Sequence, residues 1–243
     1  MGTPQNTGLE AVNPALVSIQ DEVRIAFGWD LKFDQQSAIA LQQSCLGFDS
    51  VNCAPDRLIS ILQDADEIVI LGAAVEPDDL LSVSENCHFV AADGSVGVFD
   101  ELPPQLSQSM WDRLVLVVSD GDGGDAIVRA SEQKIPFALH AHGDNQQEWQ
   151  DLLPILKQNC PSLILTHQCP ESIEGMYNPG GFTDGDRAAC IVAACGIPKS
   201  KMRLIGFRSD KIGRWTGVTD PVRKLRKLKW MEAVLDILRG ASF

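Results

Sequence analysis

Histidine is scarce in this 243-residue chain, with four in all, and basic residues are scarce over its first four-fifths. Everything before Lys199 carries eight Lys or Arg against 29 Asp or Glu, a net of −21, whereas Lys199 onward carries twelve against four, a net of +8. So acidic a body repels a long polyanion, which argues against a nucleic-acid partner. A small anion held between an acidic wall and a basic one fits the asymmetry better. No run approaches the roughly 18 consecutive apolar residues that a bilayer span requires, so no membrane partner is expected. The opening stretch MGTPQNTGLEAV has neither a basic n-region nor an apolar h-region, so no secretory leader is expected. Asn6 stands where a myristoylation signal would carry Ser or Thr. The seven cysteines are odd in number and show no CxxC spacing. That predicts reduced thiols in a cytoplasmic protein rather than a disulfide framework or zinc knuckle. Cys190 and Cys195, set among alanines, read as core. Repeats and low-complexity segments are also missing.

What is present is an alternation of two patterns. Hydrophobic residues make up 44% of the chain, enough for one large core or a core with a small appendage. Residues 1–64 read as an N-terminal helical segment. ALVSIQDEVRIAFGWD has apolar spacing near 3.6, and DQQSAIALQQSCLG has Asp34 as its cap and Gly47 as its end. From residue 65 to 243 the pattern changes to short apolar runs: EIVILG (67–72), HFVAADG (88–94), LVLVVSDGDGG (114–124), IPFALHAHGDN (135–145), SLILTHQ (162–168) and RLIGFRSD (203–210). They lack period-2 alternation, as strands buried on both faces do. Helical stretches separate them, so the predicted fold is α/β, a doubly wound, mostly parallel, Rossmann-like sheet. Pro136 marks a strand start or an edge. The chain ends in a basic helix, capped by Thr219 or Asp220 with Pro221 at its first position, whose Leu225, Leu228, Leu235 and Leu238 form a stripe.

Nearly every predicted strand ends in a polar or glycine cluster. These are Gly72; Asp93 and Gly94; Asp120, Asp122, Gly123 and Gly124; His140, His142, Asp144 and Asn145; Thr166, His167 and Gln168; and Arg208 with Asp210. A single such cluster is ordinary turn chemistry. In a parallel sheet, however, all of them fall along one edge, where ligands bind. Asp120 and Asp122, two apart on leaving a strand, can reach one hard cation such as Mg²⁺, which takes carboxylates together with substrate phosphates. In NPGGFTDGDRAA, Gly180 and Gly181 form a flexible loop and Thr183 or Asp184 caps a helix. Asp186 and Arg187 lie in its first turn, at an N-terminus suited to phosphate.

The segment HAHGDN permits two readings. His140-x-His142 with Asp144 resembles a transition-metal motif, but the further nitrogen ligands would have to be His167 or His88. The excess of carboxylates favours the other reading, in which Asp144 and Asn145 contact Mg²⁺ or substrate. The histidines then orient the loop or donate to phosphate oxygens.

The motifs AADGS, VVSDGDGG, HAHGDN, THQ, GGFTDGDRA, RLIGF and RKLRKLKW, in that order and spacing, resemble the archaeal 6-hydroxymethyl-7,8-dihydropterin pyrophosphokinases from about Ile68 to Leu238. FGWDLKFDQQSAIAL is similar to that family's helical lead-in, and the design is similar to that of thiamin pyrophosphokinases. Three loops depart from the pattern. Ser119 and Gly121 stand where a TDLDG-like run has Thr and Leu, GAAVEPDDL replaces a GxGPSL-like turn, and GFRSDKIGRW replaces a GMDFG-like run.

The resemblance implies an enzyme that transfers diphosphate from ATP to the hydroxymethyl group of a reduced pterin. It implies Mg²⁺ dependence, AMP as the leaving product, and a place in folate or methanopterin-type cofactor synthesis. Asp120, Asp122, Asp144 and Asp186 match its motif acids, the first three as metal ligands. Expected around ATP are Gly72, Asp93, Gly123, His140, His142, Thr166, Gln168, Gly180, Gly181, Arg187, Lys224 and Lys227. Asn145, Asn178 and Phe182 are expected around the pterin, with Phe182 as a stacking wall. A nucleotide-sugar glycosyltransferase and a non-catalytic nucleotide-binding module are the alternatives, and a homo-oligomer is compatible with everything above.

Overall fold

A computed structural model describes residues 8–52 and 54–242. Its centre is a six-stranded, all-parallel sheet in the order β5-β4-β3-β2-β1-β6. The strands are β1 (Glu67–Leu71), β2 (Cys87–Ala92), β3 (Leu114–Ser119), β4 (Phe137–Ala141), β5 (Leu163–His167) and β6 (Met202–Ile205). All six coincide with the apolar runs read from the sequence. The missing alternation has a direct cause. Ile68 and Ile70 of β1 enter one core and Val69 and Leu71 the other, all fully buried, so both strand faces must be apolar. Pro136 lies just before β4, and its carbonyl accepts from Val117 N at 3.0 Å, so the strand starts there without losing a ladder donor.

Helices cover both faces. One core joins the sheet to α2 (Leu31–Ser44), α5 (Pro104–Trp111), α6 (Gly124–Glu132) and α7 (Gln146–Asn159) through residues such as Leu41, Met110, Ile127 and Leu153. The other joins it to α1 (Ala15–Phe27), α4 (Ala54–Gln63), α8 (Asp184–Ala194) and α9 (Pro221–Gly240) through Leu16, Leu58, Ile191 and Leu235. A short turn of helix, α3 (Asp49–Asn52), connects α2 to α4. The N-terminal helices therefore contribute to both layers. Small residues let α8 lie flat on β1, β2 and β3, where Ala188, Ala189 and Ala193 are fully buried. Adding bulk to such a close contact typically costs about 1–3 kcal/mol.

Two helix details differ from the sequence reading. The cap of α2 is Asp30, whose Oδ1 accepts from Lys32 N at 2.9 Å, and Asp34 is buried inside the helix's first turn. On α9, Asp220 caps as expected, accepting from Arg223 N at 2.7 Å, but Leu225 is exposed while Leu228, Leu235 and Leu238 are buried. Leu225 precedes the part of the helix that meets the sheet layer. Among the described residues, no helix is long and apolar enough to cross a membrane.

The chain winds outward from β1 to β5 and then returns to place β6 on the free side of β1. That reversal opens a crevice at the carboxyl ends of the strands.

Candidate active site

The crevice is a cleft of about 1080 Å³ that runs from Gly72 and Gly206 past Asp93, Asp120 and Asp122 to His140 and Gln168. Its rim is closed by the segment between β6 and α9. Trp215 pins that segment, donating its backbone N–H to Ala73 O and its indole N–H to Val75 O, each at 3.0 Å.

The ends of β2 and β3 meet in an acidic cluster. Oxygens of Asp93, Asp120 and Asp122 all lie within 4.8 Å of one another. Asp93 sits at φ +50°, a backbone conformation costing roughly 1–2 kcal/mol for an L-residue, and Ser119 Oγ donates to its Oδ1 at 2.6 Å. A Cβ at Gly123 would fall 2.7 Å from both Asp93 Oδ1 and Gly94 N, so only glycine lets these two loops touch. Asp120 Oδ1 is buried with no partner. Burial, and then the charge of Asp184, raise Asp93 well above the usual carboxylate range; burial and Asp120 raise Asp122. Such mutual repulsion, with an all-oxygen donor set and an unpartnered buried carboxylate oxygen, fits a hard divalent cation.

Asp120 itself goes the other way. Burial pushes its pKa up, but the hydrogen bond from His142 Nε2 at 3.2 Å overrides this and holds it at about 2. His142 Nδ1 makes a second contact at 2.8 Å, to Asp144 Oδ1. Burial alone would keep the ring neutral; the two carboxylates lift it to about 9, so it is an imidazolium donating from both nitrogens. Asp144 therefore lies on the far side of His142 from the cluster, held also by Arg223 Nη2 at 2.8 Å and well below the usual carboxylate range, first through the His142 hydrogen bond. Asp93, not Asp144, completes the triad with Asp120 and Asp122.

Asn145 braces this loop rather than a ligand. Its Nδ2 donates to Asp120 O and His140 O, each at 2.7 Å, and its Oδ1 accepts from His142 N at 2.9 Å. Asn178 is similarly engaged with Gln20, Cys169 O and Gly180 N; the amide donors of both residues are taken, and neither residue lines the cleft where a pterin would bind.

The amino end of α8 forms a capping box between Thr183 and Asp186. Asp186 is fully buried and accepts from Phe182 N at 2.6 Å and Thr183 N at 2.8 Å; it orders the helix start and does not line the cleft. Asp184 lines it instead, pushed up to about 8 by burial first and then by Asp120. Gly181 at φ +91° packs so closely on Arg187 that a Cβ would fall 2.5 Å from Arg187 Cα; Gly180 packs likewise on Leu16. Arg187 reaches the cleft floor. It is 1% exposed, its Nη2 donates to Phe182 O at 3.2 Å, and its Nε and Nη1 have no partner.

Opposite the carboxylates stand Lys224 and Lys227 of α9, with Arg208 and Lys211 from the preceding loop. Lys227 lies 5.4 Å from the Trp29 ring centre and 5.8 Å from that of Phe182. Phe182 lines the cleft but belongs to an aromatic group with Phe27 and Trp29. Trp29, Lys211 and Trp215 were not singled out by the sequence, and Asp184 was read only as a helix cap. Trp29 lies in the helical lead-in and the other three follow no strand directly, so the strand-end pattern passes over them.

A doubly wound parallel sheet that sets a carboxylate cluster against a lysine-rich wall is suited to a ligand that combines a cation with phosphates. No family model matches the chain. It is 28% identical over 224 residues to the 6-hydroxymethyl-7,8-dihydropterin pyrophosphokinase of Pyrococcus furiosus, with 88% of each chain covered. It is 26% identical over 234 residues to the protein of the same name from Methanothermobacter thermautotrophicus, covering 87% of this chain and 88% of that one. The like-named protein of Methanocaldococcus jannaschii is 25% identical over 233 residues, with 88% and 90% covered. Over nearly nine-tenths of its length the chain is thus similar to three archaeal proteins of that name.

Proposed function

We propose that the protein transfers diphosphate from ATP to the hydroxymethyl group of 6-hydroxymethyl-7,8-dihydropterin. The observation that carries this is the likeness to three proteins of that name over nearly nine-tenths of the chain. The acidic triad facing α9 at the strand ends supports it.

In the reaction the hydroxymethyl oxygen attacks the β-phosphorus of ATP. A new O–P bond forms, the bond from that phosphorus to the α–β bridging oxygen breaks, and AMP leaves with the electron pair; the hydroxyl proton passes to solvent. Asp93, Asp120 and Asp122 would hold Mg²⁺, which supplies charge neutralisation along the polyphosphate when bound. Lys224, Lys227, Lys211 and Arg208 provide the opposing positive charge. His142 keeps Asp120 ionised and oriented, and Asp144 with Arg223 keeps His142 in place. Gly72 and Gly123 bring backbone close to the polyphosphate, and Gly180 and Gly181 shape the approach to α8.

Incubation with ATP, Mg²⁺ and the dihydropterin tests the reading. AMP should form in step with pterin consumption. ADP as the product would indicate attack at the γ-phosphorus, and UMP or CMP released from a nucleotide sugar would indicate a glycosyltransferase; either overturns the proposal.

A further inference from the structure

The metal and phosphate chemistry leaves three buried groups on the cleft floor unused: His140, Gln168 and Arg187. His140 is 1% exposed, and its Nδ1 lies 3.1 Å from Thr166 Oγ1. Thr166 directs its single hydroxyl proton to Leu139 O at 3.4 Å. That arrangement suits the tautomer with the proton on Nδ1, which leaves Nε2, buried and without a hydrogen-bond partner, as an acceptor. The guanidinium of Arg187 nearby favours the same arrangement, and burial first, then Arg187, keep the ring neutral. In that tautomer Nε2 suits a ligand N–H rather than a phosphate oxygen, which needs a donor.

Gln168 lies beside His140 and is 4% exposed. Its Nε2 donates to Asp34 Oδ2 at 2.9 Å, which fixes the amide and leaves Oε1 as a second acceptor. Asp34 is itself fixed by Arg24 Nη1 at 3.0 Å and Gly143 N at 2.8 Å, so the amide has no reason to turn over. Arg187 adds two unpartnered donors, Nε and Nη1. His140 Nε2 and the two Arg187 donors are buried without partners, at a cost of about 1–3 kcal/mol for each unsatisfied group, and Gln168 Oε1 adds a second acceptor beside them. Trp29 and Phe182 give the same cleft apolar walls.

We infer that this floor is the subsite for the acceptor's heterocycle and sets its specificity. The ligand it matches is a flat ring whose edge carries adjacent N–H donors beside a carbonyl, as the pterin edge does. The ring N–H and exocyclic amino group would donate to His140 Nε2 and Gln168 Oε1, and the carbonyl would accept from Arg187. Thr166 is a positioning residue acting through His140. The inference rests on the pyrophosphokinase reading and names which end of the cleft holds the pterin.

The test is calorimetric titration of the full chain with oxidised 6-hydroxymethylpterin, a stable probe, and separately with ATP and Mg²⁺. His140→Phe keeps ring shape but removes the acceptor, and should weaken pterin binding at least about tenfold while ATP affinity stays within about twofold. His140→Gln restores an acceptor and should recover most of the loss. Thr166→Val, which frees the imidazole tautomer, should weaken pterin binding several-fold with ATP again unaffected. Retained ATP binding reports that each variant is folded. Undiminished pterin affinity in His140→Phe, or equal losses for pterin and ATP in both His140→Phe and Thr166→Val, overturns the subsite and leaves the enzyme reading standing. A native chain that binds ATP but not the pterin probe overturns the enzyme reading itself, and the subsite with it.

Discussion

His142 Nδ1 stands 2.8 Å from Asp144 Oδ1 while its Nε2 stands 3.2 Å from Asp120 Oδ2, so one imidazolium bridges two carboxylates. Both ring nitrogens are engaged by these carboxylates, which favours the loop-orienting reading of HAHGDN over the His-x-His metal reading. The bridge assigns Asp144 the task of holding His142. Asp144→Asn should therefore lower kcat by roughly tenfold, the effect of a lost orienting contact, yet leave Mg²⁺ affinity within about threefold. Metal titration alongside initial rates checks this. A collapse of metal affinity comparable to that of Asp120→Asn would return Asp144 to the ligand set.

Removing a carboxylate from the triad should separate activity from stability. Asp93, Asp122 and Asp184 are raised first by burial and then by neighbouring carboxylates, Asp184 acting on Asp93 and Asp120 on Asp122 and Asp184, so the metal-free fold carries this repulsion. Asp122→Asn relieves part of it at an exposed loop and removes no core volume. Turnover should drop by at least about a hundredfold, as expected for losing a charged group at the reacting polyphosphate. The melting temperature without metal should rise by about 1–4 °C, the equivalent of roughly 0.5–1 kcal/mol in a chain of this size. Unchanged turnover with a lower melting temperature would make Asp122 a turn residue only.

Legibility followed from where the signal lies. Strands buried on both faces announce themselves as short apolar runs, and parallel winding then forces their polar ends to one edge; that is why Asp93, Asp120, Asp122, His140 and Gln168 were all singled out before any coordinates. Roles at that edge were less legible. Asp144 and Asp186 have the same composition and spacing as Asp120 and Asp184, and only the three-dimensional contacts show that one pair anchors a histidine and a helix cap while the other faces the cleft. Trp29, Arg24 and Asp34 come from the helical lead-in, more than a hundred residues from the loops they meet, and no local pattern marks such a crossing.

Asp34 exemplifies that crossing. Its buried carboxylate ties Arg24 of α1, Gly143 of the HAHGDN loop and Gln168 after β5 to α2. Asp34→Ala would leave the buried Arg24 guanidinium without this partner and should destabilise the fold by about 3–5 kcal/mol. Denaturant titration reads it directly. A loss under about 1 kcal/mol would mean that Asp21, the guanidinium's other carboxylate contact, suffices alone.

Acid should destabilise the protein through His167. Burial, then Arg187, hold this imidazole at about 4, against an unfolded value near 6.5, and its Nδ1 accepts from Cys169 N at 3.0 Å. The folded state therefore binds this proton more weakly than the unfolded one. Stability is intact above pH 6.5, declines as pH falls from 6.5 to about 4, and then levels off for this group, a loss on the order of 3 kcal/mol. His167→Gln, which cannot titrate, should flatten that part of the curve. An identical slope between pH 6.5 and 4 in the variant would assign the acid sensitivity to other groups.

The wall opposite the carboxylates makes the sharpest claim about the nucleotide. In-line displacement at the β-phosphorus leaves negative charge along the whole polyphosphate, so cations are required on the side the metal does not reach. Lys224 and Lys227 line that side one turn apart on α9, and Lys227 is braced by the Trp29 and Phe182 rings. Replacing both with methionine keeps the apolar stems and removes only the charge. ATP affinity should fall by about ten- to a hundredfold and the change should shrink as salt is raised, while the pterin probe, held by hydrogen bonds on the cleft floor rather than by charge, should lose less than about threefold. The salt dependence carries the argument, because a merely structural loss would persist at high ionic strength. ATP affinity unchanged in the double variant, with pterin binding lost instead, would reverse the two ends of the cleft.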